Sequence, residues 1–213
     1  MLGFSSKTEV NKRFRQSELY KVMNADKTVR ADGKQVLAVT LTNVLSPTTL
    51  NFRTSSEVKE IYMFALDLAD KVIPAVFISA LDKAINLHTV FVLQCGGESM
   101  LYGAYKERTD KGVKCSKYYS TTWQTTAPII PIPSWVATID DIYTAIIDEL
   151  IPITAREGEQ TKDFVDRYET ILRLHKEIAK MQALVDAEKQ AKKRFELNAK
   201  LKELQKELST YDA

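Results

Sequence analysis

Glu57-Val58-Lys59 places a carboxylate and an ammonium group two residues apart, matching the Glu-x-Lys half of a metal-dependent nuclease motif. Such chemistry needs a pair of carboxylates to hold Mg²⁺ and a lysine to position or activate water. Asp32 is the upstream acid at a workable distance to complete the pair. On a strand, alternation puts Glu57 and Lys59 on one face, an arrangement that equally suits a solvated edge. A three-residue pattern arises readily by chance in a charged chain, so these two are candidates for catalysis without a full ligand set around them.

The remaining chemical inventory is sparse. His88 and His175 are the only histidines, and no motif places a nucleophile beside either. Gly96-Gly97 lacks the lysine and hydroxyl of a phosphate loop and reads as a hairpin turn. Cys95 and Cys115 form neither a zinc spacing nor a disulfide framework; they sit on separate strand-like runs, which leaves a bridge open, and the simpler reading is two small buried reduced thiols. No catalytic site is legible in the sequence, which leaves enzymatic activity open but leans against it, and no cofactor or metal is expected.

Residues suited to binding are more plentiful. Tyr105, Lys106, Lys117, Tyr119 and Trp123 interleave cations with aromatic rings, which can neutralise phosphates and stack bases. A sheet with one packed and one wet face also collects Tyr and Lys. Lys189, Lys192, Lys193 and Arg194 form a second basic group, with Asp186, Glu188 and Glu196 close by in the chain. This group reads either as a phosphate-binding cluster or as a solvated helix face.

The elements that must carry these residues can be read from periodicity. Residues 7–23 repeat Val10, Phe14, Leu19 and Val22 near the helical period, predicting one helix. Residues 25–34 are polar with an Asp32-Gly33 turn signal. Val36 to Leu45 alternates as a strand ended by Ser46-Pro47, and a loop follows. Residues 57–69 read as a long strand and 73–86 as a helix with Pro74 in its first turn. Strands at 89–95, 100–108 and 113–123, joined by tight turns, predict an antiparallel meander. Residues 127–133, with three prolines, form an extended crossing segment. Thr138 caps a helix whose first turn holds Asp140 and Asp141, and Pro152 closes it.

From Thr161 to Tyr211 the chain has neither Gly nor Pro and favours helix throughout. Ile171, Leu174, Ile178, Met181 and Val185 step by three and four as one seam; Leu197, Leu201, Leu204 and Leu208 form another, out of phase with the first. Either one long helix carries a stutter between them, or the chain folds back as a helical hairpin. Neither narrow seam can bury itself alone, so these nine residues are the candidate surface for a protein partner or self-association.

The chain has 213 residues, 45% hydrophobic and 27% charged, and a net charge of +2, too mild by itself to mark a nucleic-acid binder. No apolar run approaches the ~20 residues of a membrane span, and the start lacks a signal-like stretch. A cytoplasmic protein without membrane contact is expected. The fold class is α+β: a mostly antiparallel sheet with packing helices over residues 1–153, a linker at 154–160, and a helical hairpin or coiled-coil-like tail at 161–213.

Several short motifs occur here in a specific order. Glu60-Ile61 opens a strand, Leu81-Asp82 precedes the next, then come His88 to Cys95 and Gly103 to Arg108; Gln190 and Glu196-Leu197-Asn198 lie in the tail. Together they resemble the bacterial domain-of-unknown-function 4391 family over nearly the whole chain. Tails in that family often read Gln-Phe-Asn-Arg-Lys, where this chain has Gln190-Ala191-Lys192-Lys193-Arg194. The resemblance brings no activity with it. It implies an accessory role, since members are often encoded beside helicases and DNA methyltransferases of restriction-like defence systems. The leading reading is an interaction subunit of such an assembly. A DNA- or RNA-binding accessory factor and a divergent metal nuclease are the alternatives.

Overall fold

The computed structural model describes residues 4–53, 57–109, 112–125, 130 and 136–211. The chain divides into two compact units, Met1–Pro152 and Ile153–Ala213. The first unit is an α+β domain around a six-stranded sheet whose strands lie in sequence order. They are β1 (Glu9–Phe14), β2 (Val36–Leu45), β3 (Ile61–Leu68), β4 (His88–Cys95), β5 (Glu98–Thr109) and β6 (Gly112–Ser120).

The first helix expected from periodicity is split in two. Residues 9–14 form β1, and only Gln16–Val22 are helical (α1). Val10 and Phe14 keep a helical spacing by coincidence, because β1 carries an irregularity: Asn11 has φ 51° and the register against β2 shifts between Glu9 and Lys12. All but one of the β1 residues are exposed, so no period of two is written into them. Pairing with β2 decides the conformation, and Arg15, still extended, separates strand from helix.

A second helix, α2 (Lys27–Asp32), stands where a polar turn was expected, nucleated by Asp26, whose carboxylate accepts from Val29 N at 2.9 Å. The expected loop after β2 opens with a short helical turn, α3 (Pro47–Leu50), held by a Ser46–Thr49 capping box. The strand expected over 57–69 begins only at Ile61. Most of the proline-rich stretch 127–133 lies outside the described residues.

β3 and β4 run parallel, and the connection between them is α4 (Ala75–Ile85), the crossover that parallel neighbours require. The other pairings are antiparallel, and β4-β5-β6 form the expected meander. Gly96 and Gly97, both at positive φ (58° and 83°), make the two-residue turn between β4 and β5. On one face of the sheet Phe64, Leu66, Phe91 and Leu93 join Leu19 of α1, Val29 of α2 and Phe77, Ile78 and Leu81 of α4 in a single core. On the other face lies α5 (Ile139–Leu150), packed on β5 and started by a Thr138–Asp141 capping box.

The second unit is a helical hairpin: α6 (Thr161–Ala187) and α7 (Ala191–Ser209) pack together, and the break at 188–190 falls inside the apolar-poor stretch between the two seams. Among the described residues no helix is long and apolar enough to cross a membrane.

Gly33 shows how tightly the first core is closed. A Cβ there would come within 2.6 Å of Tyr20 Oη and 2.8 Å of Phe77 Cδ2. Tyr20 can swing away, whereas the Phe77 ring is fully buried. Gly33→Ala is expected to destabilise the protein by ~1–3 kcal/mol through overpacking, read as a lower urea midpoint at unchanged slope.

Candidate functional site

The densest polar constellation lies where the last turn of α4 meets β4, β5 and β6. Asp82 directly follows Leu81 on α4 and is drawn inside with it. Lys106 reaches it from β5, next to a register irregularity between Ala104 and Lys106. Both side chains are only 3% exposed. The Lys106 ammonium donates to Asp82 Oδ1, to the Leu87 carbonyl and to Thr89 Oγ1, using all three of its N–H groups. Thr89 in turn donates to Asp82 Oδ1, and Tyr118 donates to Oδ2 at 2.6 Å. The Tyr118 ring stacks on Tyr102, centroids 5.1 Å apart. Burial, reinforced by the Asp82 charge, pushes the Tyr118 hydroxyl well above its ordinary pKa.

A second polar joint backs the first from the other face. Tyr143 of α5 donates to the Ala104 carbonyl at 3.0 Å and accepts from Lys106 N at 2.8 Å. Its ring meets His88 edge-on at 4.8 Å. Burial raises the Tyr143 pKa well above normal as well. Every buried side-chain nitrogen and oxygen among the described residues has a partner. With both charges enclosed and their bonds complete, a substrate could reach Asp82 or Lys106 only by displacing a protein group. The constellation is a structural lock.

Most sequence candidates are redistributed by the fold. Glu57 and Lys59 are exposed and precede β3 instead of lying on it; between them Val58 is buried, its N–H bonded to Asp140 Oδ1 at 2.7 Å. Asp32, the expected partner carboxylate, accepts from Phe77 N at 2.8 Å at the start of α4. Both aspartates are thus occupied at helix starts. No group of three or more His, Cys, Asp or Glu able to hold a metal occurs among the described residues. Cys95 and Cys115 are free thiols.

The Lys/Tyr face does not assemble. Lys106 and Tyr119 are buried, which removes both from any surface that could stack bases or meet phosphates. Tyr105 leans on Tyr143 (6.1 Å), Trp123 packs on the core, and Lys117 is exposed. Residues that look like one interleaved face in the sequence are sent to opposite sides of the sheet.

In the second unit Ile171, Leu174, Val185 and Leu201 are buried, while Ile178, Met181, Leu197, Leu204 and Leu208 are half-buried, as expected of two seams turned toward each other in a hairpin. Its open end is clasped by arginines. Arg156 donates to the Thr210 and Tyr211 carbonyls at 3.2 and 3.1 Å. Arg167 holds Glu159 with two bonds (2.7 and 2.8 Å) and reaches the Thr154 carbonyl. The Arg167 bonds keep the Glu159 carboxyl below its ordinary pKa. At the opposite end Lys189, Lys192, Lys193 and Arg194 are all exposed.

The motif order now has a fold around it, and the family match covers both units. The family described as Domain of unknown function (DUF4391) matches residues 2–208. The chain belongs to it. No curated protein and no solved structure matches the chain. Within this DUF4391 chain, Leu81-Asp82 marks the turn that carries the buried carboxylate, and Glu60 of the Glu60-Ile61 pair accepts from Tyr62 Oη at 2.5 Å, pushing that hydroxyl up to about 12. The Lys106–Asp82 pair itself escapes sequence reading. Its one local signal is an acid set immediately beside the apolar stripe of α4.

Lys106→Met should cost ~3–5 kcal/mol, because it leaves Asp82 buried and unpaired, while the double variant Asp82→Leu/Lys106→Met should recover much of that loss. Denaturant melts of the three variants decide this; simply additive losses would remove the lock. The tyrosines give a pH dependence. Tyr118 and Tyr143 stay protonated in the fold at pH values where the unfolded chain ionises, near the ordinary value of 10. Stability is therefore flat below that pH and falls as pH rises past it, and Tyr118→Phe should flatten the alkaline decline in a pH series of melting temperatures.

Proposed function

We propose that this DUF4391 chain is a non-enzymatic interaction subunit, and that its helical hairpin is the docking arm. The observation that carries the reading is the hairpin's self-closure. The two seams cover each other, and Arg156 and Arg167 clasp the end of α7, so the arm is ordered without a partner. A preformed arm avoids the ordering cost that a disordered segment meets on binding. Outside the seam, α6 still displays Leu172 (38% exposed) and Leu184 (47%), apolar side chains available to another protein.

The α+β domain supports the same reading from the other direction. The enclosed Asp82–Lys106 pair is consumed in holding α4 to the sheet, and the Glu57/Lys59 motif is dispersed. The partner class follows from the family resemblance: a helicase or DNA methyltransferase of a restriction-like defence assembly, with this chain as the accessory component.

Affinity purification of the full chain from its native cells, with nuclease treatment to remove bridging nucleic acid, tests this. A helicase or methyltransferase should co-purify, and Leu172→Glu with Leu184→Glu should lose it while the protein remains folded. If no such partner is retained, or if the variants retain it equally, the arm is not the docking element.

A further inference from the structure

The turn of the hairpin concentrates positive charge where a helix least favours it. Lys189 lies in the turn between α6 and α7, and Lys192, Lys193 and Arg194 occupy the start of α7. Aligned peptide dipoles give that end a partial positive charge, which acids stabilise and cations oppose. Yet α7 has no acid in its first turn, and no side chain caps it. All four cations are exposed, and none forms an ion pair among the described residues. The acids next to them in the chain are partly engaged: Asp186 accepts from Gln182 Nε2 at 2.8 Å and Glu188 from Gln190 N at 2.7 Å, while Glu196 is exposed.

An exposed aromatic ring follows these cations in the chain, on the same side of α7 as Lys192. Phe195, adjacent to Arg194, is 77% exposed, the most exposed of the large hydrophobic residues described. A solvated helix face would explain the lysines but not a bare phenylalanine among them. Cations that neutralise phosphate and a ring that offers a stacking surface together match single-stranded nucleic acid, whose backbone is anionic and whose bases present flat faces. A duplex would use the charges and leave the ring idle.

We propose that the hairpin tip binds single-stranded nucleic acid, with Lys189, Lys192, Lys193 and Arg194 on phosphates and Phe195 stacked on a base. This rests on the reading of the hairpin as an interacting arm and names the ligand at its end. The substitutions that test it separate a binding role from a structural one. Reversing Lys192, Lys193 and Arg194 to Glu relieves the unfavourable dipole interaction, so helix stability should hold or rise while binding falls.

The experiment is fluorescence anisotropy of the purified full chain with labelled oligo(dT) over a range of salt concentrations. Binding should weaken linearly on a log–log salt plot. The Lys192→Glu/Lys193→Glu/Arg194→Glu variant should bind at least about tenfold more weakly, with the slope reduced by about 2, at ~0.7 for each phosphate no longer neutralised. Phe195→Ala should weaken binding by about fivefold or more with the slope unchanged, as the absence of one stacked base predicts. Absent binding at low salt, or binding indifferent to these variants, overturns the proposal. Equal binding of polyglutamate, unaffected by Phe195→Ala, overturns it in favour of an acidic polypeptide ligand. If oligo(dT) fails while a nuclease-treated extract still yields a partner that Leu184→Glu loses, the docking reading stands and only the tip's ligand falls.

Discussion

Burying a carboxylate and an ammonium group together is tolerable only when every remaining hydrogen-bonding position around them is filled, and the geometry around Asp82 and Lys106 is organised by that demand. The ammonium has three N–H groups and finds three acceptors, contributed by the helix end, the segment after it and the neighbouring strand. The carboxylate takes Thr89 on one oxygen and Tyr118 on the other, besides the lysine. Moving α4 relative to β4, β5 or β6 would strand at least one of these groups in a low-dielectric interior, a loss larger than a surface interaction could offset. Asn86, at φ 53°, turns the chain sharply out of α4 and brings Leu87 and Thr89 within reach of the lysine. A pair of apolar residues could fill the same space with comparable stability. The charges differ in permitting one arrangement of partners.

The same region shows where sequence reading succeeds and where it stops. β2 is legible because its alternation is written into consecutive residues, and α5 because Thr138, Asp140 and Asp141 announce a helix start. Local signals of this kind survive folding. Asp82 and Lys106 are 24 residues apart, and neither neighbourhood hints at the other. Lys106 resembles a phosphate-binding cation in the sequence because sequence reports charge and not depth. β1 misleads for the opposite reason: a bulged, exposed edge strand has no core face to impose a period of two, so two apolar residues at a helical interval prevail. Glu57 and Lys59 do not share a strand face because the strand expected to present them starts four residues after Glu57.

The hairpin lies at the favourable end of this range. Two out-of-phase seams separated by an apolar-poor stretch already require either a partner or a fold-back, and three residues of non-helical chain at 188–190 resolve it. What the pattern could not supply is the clasp. Arg156 and Arg167 bond carbonyls just past the end of α7, across more than 40 residues of sequence, adding to the local bonds that Ser209 Oγ and Thr210 Oγ1 donate to the Lys206 and Glu207 carbonyls. That end is fixed by charge-assisted bonds and the seam is closed between the helices, and the cations gather at the turn at the other end.

The composition of that turn bears on its use. Phe195 lies near the start of α7, three residues after Lys192 and so on the same side of the helix. An aromatic kept for packing would be expected to follow the seam inward. Phe195 instead stays outside, on a helix whose buried seam residue is Leu201 and whose start is set against its own dipole. A segment that gives up both hydrophobic burial and favourable helix-end electrostatics is stabilised by neither, and a ligand with negative charge and flat rings would turn both features to advantage.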